Sequence, residues 1–282
     1  MIGVVLGGCV RVALDDTPAC RCDATHPQDG PRPETTPPDL QRREQGPDLD
    51  LDSGSDLPPP DAHVDRYLRF STTKDYARLD GALDWGVDFT VSVKIRLTTA
   101  PASFKDYITC FNYDPLSSTL SGWEVGFDTG GSSRWWIVNH DTDPYPNKCS
   151  KASTTALTVG SWHLMTLTFD YTADGPVVVL YANAVPVAQG TASTCQSTMA
   201  PGPLPPDALR LGGMDDVKFD ADNLRVFDRA LSASEVAALH TGQVPAGVVL
   251  HWEMDEGGGA TLYDATGNGH SGTLYNSTRH AY

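Results

Sequence analysis

The chain has 282 residues, six cysteines and a formal charge of −16, long enough for one large domain, or one domain and a tail, with a full core. That acidic balance argues against a nucleic-acid partner, which needs a basic face, and suits a self-repelling surface able to attract divalent cations. No apolar run reaches the roughly 20 residues of a membrane-spanning helix, so the only membrane link to consider is a lipid anchor.

The first residues are MIGVVLGGC. Leu-Gly-Gly-Cys ending at Cys9 resembles the bacterial lipobox, in which small residues precede a cysteine that is lipidated after signal cleavage. What precedes it is shorter than a signal peptide and lacks the positive n-region. Either the true start lies upstream of Met1 or the match is accidental. On the first alternative, residues 1–22 are the remnant of a signal and lipobox segment, Cys9 is the lipidation site, and the protein is an outer-membrane lipoprotein. Six cysteines fit such an exported, oxidising setting. Residues 23–62 hold nine prolines and ten acidic residues with almost no branched apolar side chains. They cannot bury enough surface to offset their ordering entropy, so a disordered acidic linker is expected.

From about residue 63 the pattern becomes that of short strands. In DFTVSVKIRL, residues Phe89, Val91, Val93, Ile95 and Leu97 alternate with Thr90, Ser92, Lys94 and Arg96, the period-2 signature of a sheet with one buried face. WHLMTLTFD repeats it with Met165, Leu167 and Phe169. A hairpin is expected around Asn183-Ala184, and a turn at Asp174-Gly175. Further short strands are expected at 66–70, 76–80, 107–112, 123–128, 134–138, 208–212, 222–228 and 248–254. One helix is expected over SASEVAALH, where Ser232 and Glu235 form a capping box. Many strands and hardly any helix predict an all-β, two-sheet antiparallel sandwich over residues 63–282. Cys149 and Cys195 flank what read as two long surface insertions and are the best candidate disulfide; Cys110, inside YITCF, is expected to be a buried thiol.

The stretch DNLRVFDRALSASEVAAL, 222–239, resembles the closing signature of bacterial laminin-G-like domains, jelly rolls of the concanavalin A-like lectin/glucanase group. LRFSTTKDYARL, DFTVSVKIRL and GSWHLMTLTFD with its following hairpin resemble that family's earlier strands in order. WEMDEGGGATLYDATGNGHSGTL resembles its Asp-Glu-Gly-rich segment, which often opens such a domain but here closes the chain. Two explanations stay open: the segment reaches the usual place from the other end of a closed sandwich, or it is a truncated second repeat.

The resemblance implies a binding module for a glycan or a cell-surface protein, with protein adhesion as the alternative and glycoside hydrolysis the weaker one. Hydrolases of this group carry Glu-x-Asp-x-x-Glu on one strand, which sets both carboxylates on one face. Glu253 and Asp255 have the first spacing, but Gly258 stands at the third position. Glu253 is therefore read as a strand residue, and Asp255 and Glu256 as turn and surface charges. Asp222, aligned by alternation with the core residues Leu224 and Val226, needs partners if it points inward. Calcium with Asp75 as a second ligand is one reading, hydrogen bonds from loop amides the other. In SSRWWIVNHDTDPY, Trp135 and Trp136 must face opposite ways, so one of them is outside the core. The outer ring either stacks on a sugar, with Asn139, Asp141, Asp143 and Tyr145 bonding its hydroxyls, or packs under the insertion carrying Cys149. Trp85, Trp123 and Trp162 are expected at sheet ends.

Overall fold

A computed structural model of the chain describes residues 65–81, 83, 86–114, 119–141, 148–191, 209–213 and 216–282, with side chains undescribed at 112–114, 119–121, 138–141 and 148. Residues 1–62, with Cys9 and the expected linker, lie outside them, as do Trp85, Asp143, Tyr145 and Cys195.

Two antiparallel sheets face each other. Sheet A contains β1 (Arg66–Phe70), β3 (Phe89–Leu97), β8 (Trp162–Thr172), β9 (Gly175–Ala182), β10 (Val185–Gly190), β12 (Phe219–Phe227), β13 (Val248–Trp252) and β16 (Thr278–Ala281). Its order is β10-β9-β8-β3-β12-β1-β16, and β13 also pairs with β12. Sheet B contains β2 (Tyr76–Leu79), β4 (Lys105–Asp114), β5 (Thr119–Phe127), β6 (Ser132–Asp141), β7 (Lys148–Ala156), β11 (Leu209–Gly212), β14 (Thr261–Leu262) and β15 (Gly272–Tyr275). Its order is β14-β15-β2-β11-β4-β5-β6-β7.

The alternation read from the sequence sets the core. Val91, Val93, Ile95 and Leu97 of β3 and Met165, Leu167 and Phe169 of β8 point inward, opposite Ile108, Trp123, Val125, Trp135 and Ile137 of sheet B. Each such side chain contributes roughly 1.5–3 kcal/mol by leaving water. Trp123 is fully buried, with its ring centroid 5.5 Å from that of Phe89; it belongs to the centre of the core and not to a sheet end. Cys110 is a buried free thiol, as expected. The expected hairpin turns at Asn183 and Ala184, both with positive φ, as a tight hairpin of this twist requires.

The single α-helix among the described residues, α1 (Ala233–His240), starts at the expected capping box of Ser232 and Glu235. It lies on the outer face of sheet A, where Val236 and Leu239 pack with Val179, Tyr181, Phe227 and Leu231. The polar outer residues of β3 are satisfied beneath it. Thr90 donates to Arg229 O and accepts from Leu231 N, both at 2.9 Å, and Ser92 bonds Thr166 at 3.0 Å.

The closing segment is part of the sandwich. β13 joins β12, β15 joins β2, and β16 joins β1. Trp252 is fully buried and donates its indole N–H to His270 O at 2.9 Å. The backbone of β15 passes so close that a Cβ on Gly272 would sit 2.5 Å from that indole. The segment thus flanks the first strands of both sheets, the arrangement expected if it reaches its place from the other end.

Candidate functional site

The outer face of sheet B carries a row of side chains set by register. Thr273 of β15 lies opposite Arg78 of β2, Arg78 opposite Arg210 of β11, and Arg210 opposite Thr109 of β4. The line continues through Glu124 of β5 and Trp136 of β6 to Ser150 of β7. At about 4.8 Å per strand, Arg78 to Trp136 spans roughly 19 Å. Inward neighbours on the same strands, such as Ala77, Leu211, Ile108, Val125 and Ile137, are in the core, which forces the row outward.

Aromatic rings stand at both ends. Tyr76 and Tyr275 stack with centroids 4.3 Å apart, and Arg78 and Arg210 lie over these rings at 5.6 and 4.7 Å. At the other end, Phe111 meets Trp136 edge to face at 5.6 Å. Tyr76, Arg78, Arg210, Phe111, Glu124 and Trp136 are all partly exposed. Among the described residues no helix covers this face. Flat apolar rings at the ends, with guanidinium, carboxylate and hydroxyl groups between them, can stack on sugar rings and bond their hydroxyls.

The structure divides the residues nominated from sequence. Trp135 is fully buried and donates its indole N–H to Ala188 O at 3.3 Å; it packs the core and cannot contact a ligand. Trp136 is the outward ring. Asn139 and Asp141 lie on β6, but their side chains are outside the description. Cys149 is buried in β7 and is disulfide-bonded. No disulfide joins two described residues, and Cys195, the expected partner, lies outside them. Tyr76, Arg78, Phe111, Arg210 and Tyr275 are site residues that carry no motif in the sequence. Alternation in YARL and YITCF could have marked Tyr76, Arg78 and Phe111 as outward, but only the sheet order brings them together.

Asp222 does not point into the core. Between Asp222 and Arg225 the register slips: Asp222 pairs with Lys94 and Arg225 with Ser92, so β12 carries one residue more than β3. The extra residue is Asn223, at φ 53, and a bulge of this kind reverses the side-chain parity. Asp222 therefore shares the outer face of sheet A with Lys94. It is 2% exposed and accepts from the Tyr282 hydroxyl (2.6 Å), Asn223 Nδ2 (3.0 Å) and Lys94 Nζ (3.3 Å). Asp75 sits beyond the other end of β1 and accepts from the backbone N–H and hydroxyl groups of Ser71 and Thr72 at 2.8–3.1 Å. Burial opposes its ionisation, but those four bonds prevail and hold its pKa below the ordinary carboxylate range. The two carboxylates do not share a site, and as arranged they do not fit a common calcium ion, which takes 6–8 oxygen ligands. No cluster of three or more His, Cys, Asp or Glu suited to a metal occurs among the described residues.

The carboxylates at 253–256 also differ from their sequence reading. β13 ends at Trp252, and Met254, at φ 68, turns the chain before any glycine is reached. Glu253 is thus an exposed residue just past the strand, not a member of it. Asp255 accepts from Arg66 N at 2.6 Å, which ties the closing segment to β1. Glu256 pairs with Arg279 at 2.6 Å and accepts from Tyr263 N at 2.8 Å. Asp264 forms a turn, accepting from His251 N, Thr266 N and His270 N.

A family model described as the concanavalin A-like lectin/glucanases superfamily matches residues 71–237. Among solved structures, the chain is similar to a protein from Bacteroides ovatus ATCC 8483 named, provisionally, as carbohydrate-binding. The TM-score is 0.52 at 12% identity, over 78% of this chain and 60% of that one. It is also similar to the native heptameric SAP-like pentraxin of Limulus polyphemus, with a TM-score of 0.44 at 14% identity, over 62% of this chain and 82% of that one. No curated protein sequence matches. No helix among the described residues is long and apolar enough to cross a membrane.

Proposed function

Since the chain belongs to the concanavalin A-like lectin/glucanases superfamily, we propose that it is a non-catalytic extracellular module that binds an oligosaccharide along the outer face of sheet B. The observation that carries this reading is the row from the Tyr76–Tyr275 stack to Trp136. Rings at two separated points, with polar side chains between, suit an extended chain of sugars better than a single ring. The name of the Bacteroides relative agrees with it. The structural roles of Asp255 and Glu256, and the position of Glu253 beyond its strand, support binding without hydrolysis.

A glycan-array screen of the full chain, run with calcium and again with chelator, tests the proposal. Retention of a related set of oligosaccharides is expected. Silence from folded protein overturns the glycan reading and favours protein adhesion. Calcium would have to displace the protein donors at Asp75 or Asp222; loss of binding or of thermal stability in chelator would establish the ion. Hydrolysis of a retained glycan, abolished by Glu253→Gln, would overturn the non-catalytic reading.

A further inference from the structure

The outer face of sheet A, beyond the reach of α1, carries a second group of rings and charges. Tyr67 of β1, Trp162 of β8 and Tyr282, which follows β16, form a three-sided cluster with centroids 5.3–5.6 Å apart. Beneath them are two carboxylates. Asp220 is fully buried and takes two hydrogen bonds each from Arg69 and Arg96. Asp222 takes Lys94 and the Tyr282 hydroxyl. Arg96 lies over the rings of Tyr67 and Trp162 at 4.8 and 4.7 Å.

Tyr282 is the most exposed of the three rings. The residue is 54% exposed, yet its hydroxyl reaches a carboxylate that is 2% exposed. That hydroxyl donates to Asp222 at 2.6 Å and accepts from Lys94 at 3.0 Å. Its backbone is attached through one 3.3 Å bond to Asp65 O. Swinging the ring out would cost that bond, the two hydroxyl bonds and the ring contacts, with Lys94 over the ring at 4.7 Å among them, but none of the β1–β16 ladder, which runs from Arg66–Ala281 to Arg69–Thr278.

We propose that this recess is a second binding subsite, filled here by the protein's own phenol, and that a pyranose ring of a glycan takes the place of Tyr282. A sugar hydroxyl can donate to Asp222 and accept from Lys94 as the phenol does, while the ring's apolar face lies against Trp162 and Tyr67. The further hydroxyls of a pyranose would meet Arg69, whose side chain is 38% exposed, where a phenol offers nothing. The choice of a pyranose rests on the glycan reading; the recess itself does not.

The test uses full-length wild type, Tyr282→Ala and Tyr282→Phe, with p-cresol and the methyl glycopyranosides of glucose, galactose, mannose and N-acetylglucosamine as probes in saturation-transfer NMR. Tyr282→Ala should bind p-cresol on the order of tenfold more tightly than wild type, because the competent open state is no longer a minor population. Tyr282→Phe, which lacks the two hydroxyl bonds, should fall between them. At least one pyranoside should displace p-cresol from Tyr282→Ala, and adding Trp162→Ala should abolish both. Equal p-cresol binding by all three proteins would show that there is no recess. p-Cresol binding that no pyranoside displaces would overturn the sugar assignment. Trp136→Ala should change none of this, so failure of the sheet B reading and failure of this one can be told apart.

Discussion

The two outer faces arise from the same alternation and end in opposite states. On sheet A the chain closes over its own polar residues. Thr90, Ser92 and Thr166 are buried in the half of the sheet where α1 packs, and in the other half Asp220 and Asp222 are buried under cations and rings. On sheet B no helix among the described residues lies over the sheet, and Tyr76, Arg78, Arg210, Glu124 and Trp136 stay partly exposed. One face uses its polar groups to hold the fold, whereas the other presents them. Outside the group of rings around Tyr282, substitutions on sheet A should therefore cost stability, and those on sheet B should cost binding.

The largest effect is expected at Asp220. Asp220→Ala leaves Arg69 and Arg96 without their carboxylate and should lower stability by about 3–5 kcal/mol in urea melts. Glu124→Ala in the sheet B row should cost less than about 1 kcal/mol. Similar losses at the two sites would break the comparison. Next comes the helix contact: Leu239→Ala should cost about 2–4 kcal/mol through the cavity left above Phe227 and Tyr181.

Acid sensitivity sharpens the contrast. His251 bonds Asn223 Oδ1 at 3.1 Å on the sheet A side, and burial, with the nearby Arg225 charge, lowers its pKa to about 4. The unfolded chain, titrating near 6.5, binds the proton first. This contribution is fully present above about pH 6.5 and is lost as pH falls towards 4, on the order of 2 kcal/mol. In His251→Gln the loss of stability between pH 6.5 and 4 should be smaller by that amount; an unchanged slope would remove His251 from the account. A small stability effect is also expected for Trp136→Ala, which loses the Phe111 edge contact and partial burial, about 1 kcal/mol.

Much of the sandwich was legible because its rules are local. The alternation of 89–97 fixed which side chains of β3 enter the core, and the Trp135–Trp136 pair had to split between faces. The capping box at Ser232 and Glu235 marked the start of α1. What escaped depends on single backbone choices or on distant pairing. Asn223 and Met254 adopt positive φ without being glycine, so nothing in the composition announced that Asp222 would turn outward or that β13 would stop at Trp252. The Tyr76–Tyr275 stack joins segments at opposite ends of the domain, and Arg210 enters between β2 and β4 from a third. No period within any one segment reports that juxtaposition. Trp123, read as a sheet-end residue, lies at the core because β5 is an interior strand of sheet B.

The most direct test of the central claim is a calorimetric titration of one array-positive oligosaccharide against wild-type protein and Trp136→Ala, with thermal midpoints recorded on the same samples. A loss of affinity of at least about tenfold, corresponding to about 1.4 kcal/mol, is expected, with the midpoint nearly unchanged. Undiminished affinity in a folded Trp136→Ala protein would contradict it and remove the outer face of sheet B as the binding surface.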